Sequence, residues 1–247
     1  MSTAQPAVGY GSALEPNSTE QPVGRRKHNP GNARAELLDV ATEEFARVGY
    51  HGARVDEIAA RSSTTKRMIY YYFGDKDGLF TAVLERAYAS ARAGERKLDL
   101  SGLDPVGAIA TLIEHTVRWH AEHPEVGRLV SAENALDGIH LRRSAEQAST
   151  NLPVVELMDD LLARGRASGT IVRDVSGLDL HLFITALALF QGTNAATIEA
   201  TFSVQMRAAE HLDRTVAMVT SMVTTWLRTP DPAEADPTES GAGEPEP

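Results

Sequence analysis

Between its two ends, almost every segment of the chain carries apolar residues at a spacing of three to four, which predicts an all-α fold. In NARAELLDVATEEFARVG, Leu37, Leu38, Ala41 and Phe45 share one face, Asn32 stands where a cap opens a helix, and Gly49 stands where one stops. VDEIAARS, residues 55 to 62, predicts a second, short helix that buries Val55, Ile58 and Ala59. The four hydroxyl residues Ser62 to Thr65 favour turns and caps over helix interiors, so the chain should break there and restart with Thr65 as N-cap. Two short helices joined by a tight turn form a helix-turn-helix.

Six longer helices follow, over about 75–96, 105–122, 124–136, 152–168, 178–199 and 203–228, for about nine in all. Gly169 sits where a left-handed C-terminal cap belongs, and Ser176 to Asp179 has the form of a capping box. In the last helix Ala209, Leu212, Val216, Val219, Val223 and Trp226 are spaced 3, 4, 3, 4, 3, a heptad seam that wants another helix alongside. DLHLFITALALFQ just before it is apolar on more than one side, as expected of a helix covered by its own core and by a second subunit. An intramolecular partner satisfies both patterns equally well.

The sharpest local feature is SSTTKRMIYYYFGDKDGLF, residues 62 to 80, with three consecutive tyrosines behind a lysine and an arginine. At about 100° per residue, Ile69 and Phe73 share one face, Arg67 and Tyr71 lie opposite, and Tyr70 and Tyr72 fall on the flanks. The rings therefore cannot form one buried cluster. Thr65, Lys66, Arg67 and Met68 project from the helix N-terminus, where free amides and the dipole favour an anion. In a DNA major groove, Arg67 and Lys66 can read guanine edges or grip phosphate, Met68 and the Thr65 methyl can meet thymine methyls, and tyrosine hydroxyls can donate to phosphates. Lys76, at the start of the next helix, adds a cation suited to phosphate. The competing reading makes YYYF an aromatic seam between helices.

Charge sharpens this picture. The chain of 247 residues has a formal net charge of −10, which as a whole repels nucleic acid, yet residues 25–76 hold ten lysines and arginines against seven acidic residues, a net of +3. The flanking segments 1–24, 77–230 and 231–247 carry −2, −5 and −6. Residues 1–28, rich in Gly, Pro, Ser and Gln and ending in Arg25-Arg26-Lys27-His28, predict a disordered arm, either a solubilising leader or a segment that touches DNA. Residues 231–247 predict a disordered acidic tail.

Residues 34–80 resemble the DNA-binding domain of TetR-family transcriptional regulators. The likeness runs through Arg34, Leu37, Leu38, Ala41, Phe45 and Gly49, then Gly52, Val55 and Ile58-Ala59, then IYYYFGDKDGLF. It implies that Tyr70, Tyr71 and Lys76 contact phosphate and that Lys66, Arg67 and Met68 lie on the recognition helix. It also implies a homodimer paired through the last two helices, a palindromic operator and a small-molecule effector bound by the larger helical domain. The chain departs from the family at the bend, where Ser63-Thr64 replaces a glycine and a valine. It departs again at Arg54, which replaces a capping hydroxyl before the second helix and so becomes a further phosphate contact. The division expected is an arm over 1–28, a helix-turn-helix domain over 29–78, a ligand-binding and dimerisation domain over 79–230, and the tail.

Ligand-contact candidates in the middle helices are Trp119, His120, Glu133, Asn134, His140, Phe183 and Phe190, which combine apolar walls with a few polar groups. WHAEHPEVGRLVSAENALDGIHL is similar to the corresponding region of regulators of pyrimidine utilisation, too loosely to name an effector. His115, His120 and His123 raise a divalent metal as an alternative, but HExxH is absent and a helix-end histidine more often caps or faces solvent. No glycine-rich phosphate loop and no GxSxG elbow occurs, so neither an enzyme nor a cofactor is expected. With no cysteine there is no disulfide framework or thiolate site, and LFITALALF, the longest apolar run, is too short to span a bilayer. The expected location is the cytoplasm. The runner-up is a helical protein-interaction or metal-binding module with no role on DNA.

Overall fold

A computed structural model describes residues 30–144 and 146–231; the arm, and the tail beyond Asp231, lie outside the described residues. The chain is all-α there, with helices α1 (Pro30–Gly52), α2 (Val55–Arg61), α3 (Lys66–Phe73), α4 (Lys76–Glu95), α5 (Pro105–Glu122), α6 (Pro124–Asn134), α7 (Ile139–Arg143), α8 (Glu146–Ala167), α9 (Gly177–Thr193), α10 (Ala195–Phe202) and α11 (Ala209–Arg228).

Two differences bring the expected nine helices to eleven. The short α7 follows a left-handed turn at Asp137 and Gly138, and is too brief to show a period. The stretch read as one helix over 178–199 breaks at Asn194, whose Nδ2 donates to the Phe190 carbonyl at 3.2 Å, and α10 then ends on left-handed Ser203. That stop delays α11 to Ala209, six residues later than its apolar pattern suggested. Helix α8 starts earlier than predicted and carries Pro153 inside it rather than at its first turn. Asn32 does not cap α1, which is already helical from Pro30. Gly49 does interrupt the helix, at φ 70°, and Ser176 does cap α9, with its Oγ accepting from the Asp179 amide at 3.1 Å.

The first core is built by Leu37, Leu38, Ala41 and Phe45 of α1, Ile58 of α2, Ile69 of α3, and Leu79, Phe80, Val83 and Leu84 of α4. The second gathers α5, α8, α9 and α11 around Ile109, Leu112, Ile113, Leu162, Ile184, Val219 and Val223. Helix α4 belongs to both neighbourhoods: its N-terminal half fills the first core and its buried Ala91, Arg92 and Glu95 face the second half of the molecule.

The heptad seam of α11 is used differently from the expectation. Thr215, Val219, Val223 and Leu227, an i, i+4 row, are the buried residues, and α11 packs chiefly on α5 of its own chain. Ala209 and Trp226, assigned to the seam, are exposed. A parallel row, Met218, Met222 and Trp226, is left uncovered.

Candidate functional site

The helix-turn-helix is held by α1. Glu36 accepts from the Ser63 amide and from its hydroxyl, both at 2.5 Å, pinning the bend to the first helix. Neither Ser63 nor Thr64 needs the left-handed backbone that a glycine would supply, since among described non-glycine residues only Asp137 and Ser203 have positive φ. The nearly fully buried Glu44 accepts from Arg47 of α1 and Arg61 of α2, and the Arg47 hydrogen bond holds its carboxyl below the usual range.

Helix α3 then presents two faces. Ile69 is buried in the first core, while Tyr71, on the opposite side, is 76% exposed and Tyr70 is exposed beside it. Arg54, Thr65, Lys66 and Arg67 are exposed as well. Thr65 does occupy the N-cap position, but its hydroxyl makes no capping bond, so the first amides of α3 remain open to a ligand. Met68 is half-buried against the core. Lys66 is tied to Asp56 of α2 at 2.7 Å, and Lys76 lies over the Tyr50 ring at 4.6 Å with its ammonium half-buried. Left-handed Gly74 ends α3, and Asp75 caps α4 by accepting from the Gly78 amide at 2.7 Å. A Cβ on Gly78 would stand 2.0 Å from the Phe73 carbonyl, so only glycine lets the two helix ends meet so closely.

Sequence reasoning did not anticipate the knot behind this head. Glu133 of α6, only 1% exposed, accepts from the His140 amide at 2.7 Å, the Leu141 amide at 3.0 Å and the His140 ring Nδ1 at 2.7 Å. These bonds satisfy the free N-terminus of α7. The His140 ring packs on Tyr50 and Phe80, and the Tyr50 hydroxyl donates to Asp77 in the first turn of α4. Burial and the Asp77 carboxylate push the Tyr50 phenol up to about 12. Arg86 adds a second tie, from α4 to Asp39, Thr42 and the Leu38 carbonyl of α1.

The seven ligand candidates do not form one pocket. Trp119 and His120 lie buried where α5 meets α4 and α9, Glu133 and His140 bond each other in the knot, and Asn134, Phe183 and Phe190 are exposed. Phe183 and Phe190 lie on an uncovered apolar side of α9, and Phe183 joins Val175, Leu180, Met222 and Trp226 around a groove of 420 Å³ between α9 and α11. His123 Nδ1 pairs with the Trp119 carbonyl, and no three His, Cys, Asp or Glu side chains converge as metal ligands among the described residues. No helix there is long and apolar enough to cross a membrane.

Residues 37–83 match the family described as bacterial regulatory proteins, tetR family, and residues 105–223 match the tetracyclin repressor-like C-terminal domain. The chain is 31% identical over 184 residues to the HTH-type transcriptional repressor NicS of Pseudomonas putida, covering 74% of this chain and 87% of that protein. The chain belongs to the TetR family. Another relative of this TetR-family regulator is the HTH-type transcriptional repressor SCO4008 of Streptomyces coelicolor, 33% identical over 163 residues, 65% of this chain and 78% of the relative. Solved structures share its fold: the putative transcriptional regulator SCO4942 from Streptomyces coelicolor (24% identity, TM-score 0.59, 77% and 97% of the two chains) and a tetR-family regulatory protein from Rhodococcus RHA1 (18%, 0.63, 81% and 98%). As a TetR-family member it is a DNA-binding transcriptional regulator and not an enzyme.

Proposed function

We propose that this regulator is a cytoplasmic repressor that binds a palindromic operator as a homodimer and is released by a small molecule held in its larger helical domain. The observation that carries the reading is the two-faced α3, with Ile69 buried and Arg67, Tyr70 and Tyr71 turned outward around open helix amides. Arg54, Thr65, Lys66, Arg67, Met68, Tyr70, Tyr71 and Lys76 are its DNA contacts. Arg67 reads a base edge, the tyrosines and Lys76 hold phosphate, and Met68 contributes only its outer edge because its body supports the core. The repressor reading is supported by NicS and SCO4008, both named as repressors.

Anisotropy titrations against a selected palindrome at several salt concentrations test this directly. Arg67→Ala should weaken binding by roughly ten-fold or more and relax the recovered motif at one position, while Tyr71→Phe should weaken all sequences a few-fold alike. An unchanged motif with Arg67→Ala rejects the placement of α3 in the groove.

Homodimerisation is supported by the uncovered apolar rows, Phe183 and Phe190 on α9 and Met218, Met222 and Trp226 on α11, since monomers rarely leave so much contiguous apolar surface in water. Two heads on a two-fold axis then reach half-sites about 34 Å apart. Light scattering should find a dimer at micromolar concentration. Phe183→Asp with Phe190→Asp should shift it to monomer and weaken operator binding by roughly 100-fold or more through lost bivalency. A wild-type monomer at that concentration refutes the pairing.

A further inference from the structure

Five buried side-chain atoms among the described residues have no hydrogen-bond partner: Arg92 Nε and Nη1, His115 Nε2, His120 Nδ1 and Thr185 Oγ1. Buried polar atoms are nearly always paired, so a group of orphans calls for a reason. These come from three helices. Arg92 lies on α4, His115 and His120 on α5, and Thr185 on α9 one turn from His181. The three helices meet here: a Cβ on Gly94 of α4 would stand 2.8 Å from His115 Nε2, and one on Gly192 of α9 would stand 3.3 Å from the His120 carbonyl, and the Arg92 charge bears on His115, His120 and His181.

Arg92 is 7% exposed and His120 is 8% exposed, so neither can turn to water for its missing bonds. Glu95, also buried, brings Oε2 to 3.0 Å from Arg92 Nη1 and offsets the charge, but its alignment does not make a hydrogen bond. The guanidinium has only donors, and the Thr185 hydroxyl can donate as well. The imidazoles stay neutral beside Arg92 but can take a proton when negative charge arrives. What such a cluster lacks is an acceptor aligned with its donors, since Glu95 balances the charge without bonding to Nε or Nη1. Trp119, edge-on to His120 at 5.1 Å and stacked on His123 at 4.4 Å, supplies a flat apolar wall next to it.

We propose that this cluster is the effector site and that the effector is a small organic carboxylate, gripped by Arg92 of α4 and by His120 and His181 of α5 and α9. The assignment rests on the ligand-released reading above, and it adds the chemical class. A carboxylate accepts from Arg92 Nε and from the imidazole N–H groups, while its organic part lies along Trp119. Because α4 carries Arg92 near its C-terminus, Asp77 tied to α1 in its first turn and Arg86 tied to α1 at its middle, the grip acts on the same helix that holds the head.

The test uses the full chain and a panel of monocarboxylates from acetate through benzoate to naphthoate, each paired with its neutral amide, read by thermal shift and calorimetry. At least one acid should raise the Tm by several degrees where its amide does not. Arg92→Met combined with Glu95→Gln, which removes both buried charges together, should weaken that acid by roughly ten-fold or more, the loss expected for hydrogen bonds to a charged group. His181→Gln leaves the Arg92–Glu95 pair intact and should weaken it several-fold, so it decides the matter if the double variant does not fold. No acid outperforming its amide, or equal binding by wild type and variants, overturns the proposal. Operator release is measured separately. An acid that binds here without releasing DNA leaves the site standing and removes its effector role, whereas release by a neutral compound alone keeps the repressor reading and ends the carboxylate one.

Discussion

Glu133→Ala is expected to destabilise the protein by about 3–5 kcal/mol, from about 1–3 kcal/mol for each buried donor that loses its acceptor. For a chain of this size that lowers Tm by roughly 10 °C or more. The reason is that one carboxylate, 1% exposed, serves three donors: two amides of α7 and the His140 ring. Alanine leaves all three without an acceptor in a place water does not reach. Glu133→Gln separates charge from hydrogen bonding. Its carbonyl oxygen can still accept from both amides, and its NH2 can donate to His140 Nδ1 if the ring moves its proton to Nε2, which then points toward Asp77, 3.9 Å away in the present structure. Glutamine should therefore cost only about 1 kcal/mol. Scanning calorimetry of the two variants checks this, and a Tm for Glu133→Ala within a few degrees of wild type contradicts the role assigned to the knot.

That knot also shows what a linear sequence conceals. The run from Thr65 to Phe80 was legible because its chemistry is local: four hydroxyl residues break a helix, Ile69 and Phe73 set the inner face, and Gly74-Asp75 restarts the chain, all within one or two turns. Glu133 and His140 drew notice as two of the ligand-contact candidates, and nothing in their spacing says that the first caps the helix of the second. Tyr50 and Asp77, which complete the arrangement, are 27 residues apart and carried no signal. The Arg92 cluster is harder still, since its members come from positions 92, 115, 120, 181 and 185 on three helices. His115 stood out only as a possible metal ligand and His120 as that or one of seven ligand-contact candidates, because histidines close in sequence suggest a shared ion, whereas Arg92 is more than twenty residues away. The heptad of α11 misled for a physical reason. A 3, 4 spacing and an i, i+4 row share Val219 and Val223, and only packing against α5 selects the second.

Acid should begin to weaken this protein before its carboxylates titrate. Burial first, and the Arg92 guanidinium second, hold His120 and His181 down to about 4 from an ordinary 6.5. His115 is lowered for the same two reasons. In the unfolded chain the rings take up protons as pH drops below about 6.5, while in the fold His120 and His181 do not until about 4, so the unfolded state binds more protons throughout that window. Stability is therefore greatest above pH 6.5, declines as pH falls from 6.5 toward 4, and levels off below for these groups. A shift of this size corresponds to about 3 kcal/mol per fully buried histidine, less for His181, which is only partly covered. Glu44, depressed by Arg47, adds a loss that begins only below its ordinary 4.5. Urea unfolding at pH 7, 6, 5 and 4.5 should show the decline, and His120→Gln, with no ring to protonate, should lose less over the same range. At pH 7 that variant gains nothing from this effect, so its advantage must grow as the solution is acidified. Parallel curves for wild type and His120→Gln would mean that the ring takes up its proton in the fold as readily as in the unfolded chain. Burial beside Arg92 would then impose no penalty on a charged ring, and the dry, cation-flanked surroundings assigned to His120 would be wrong.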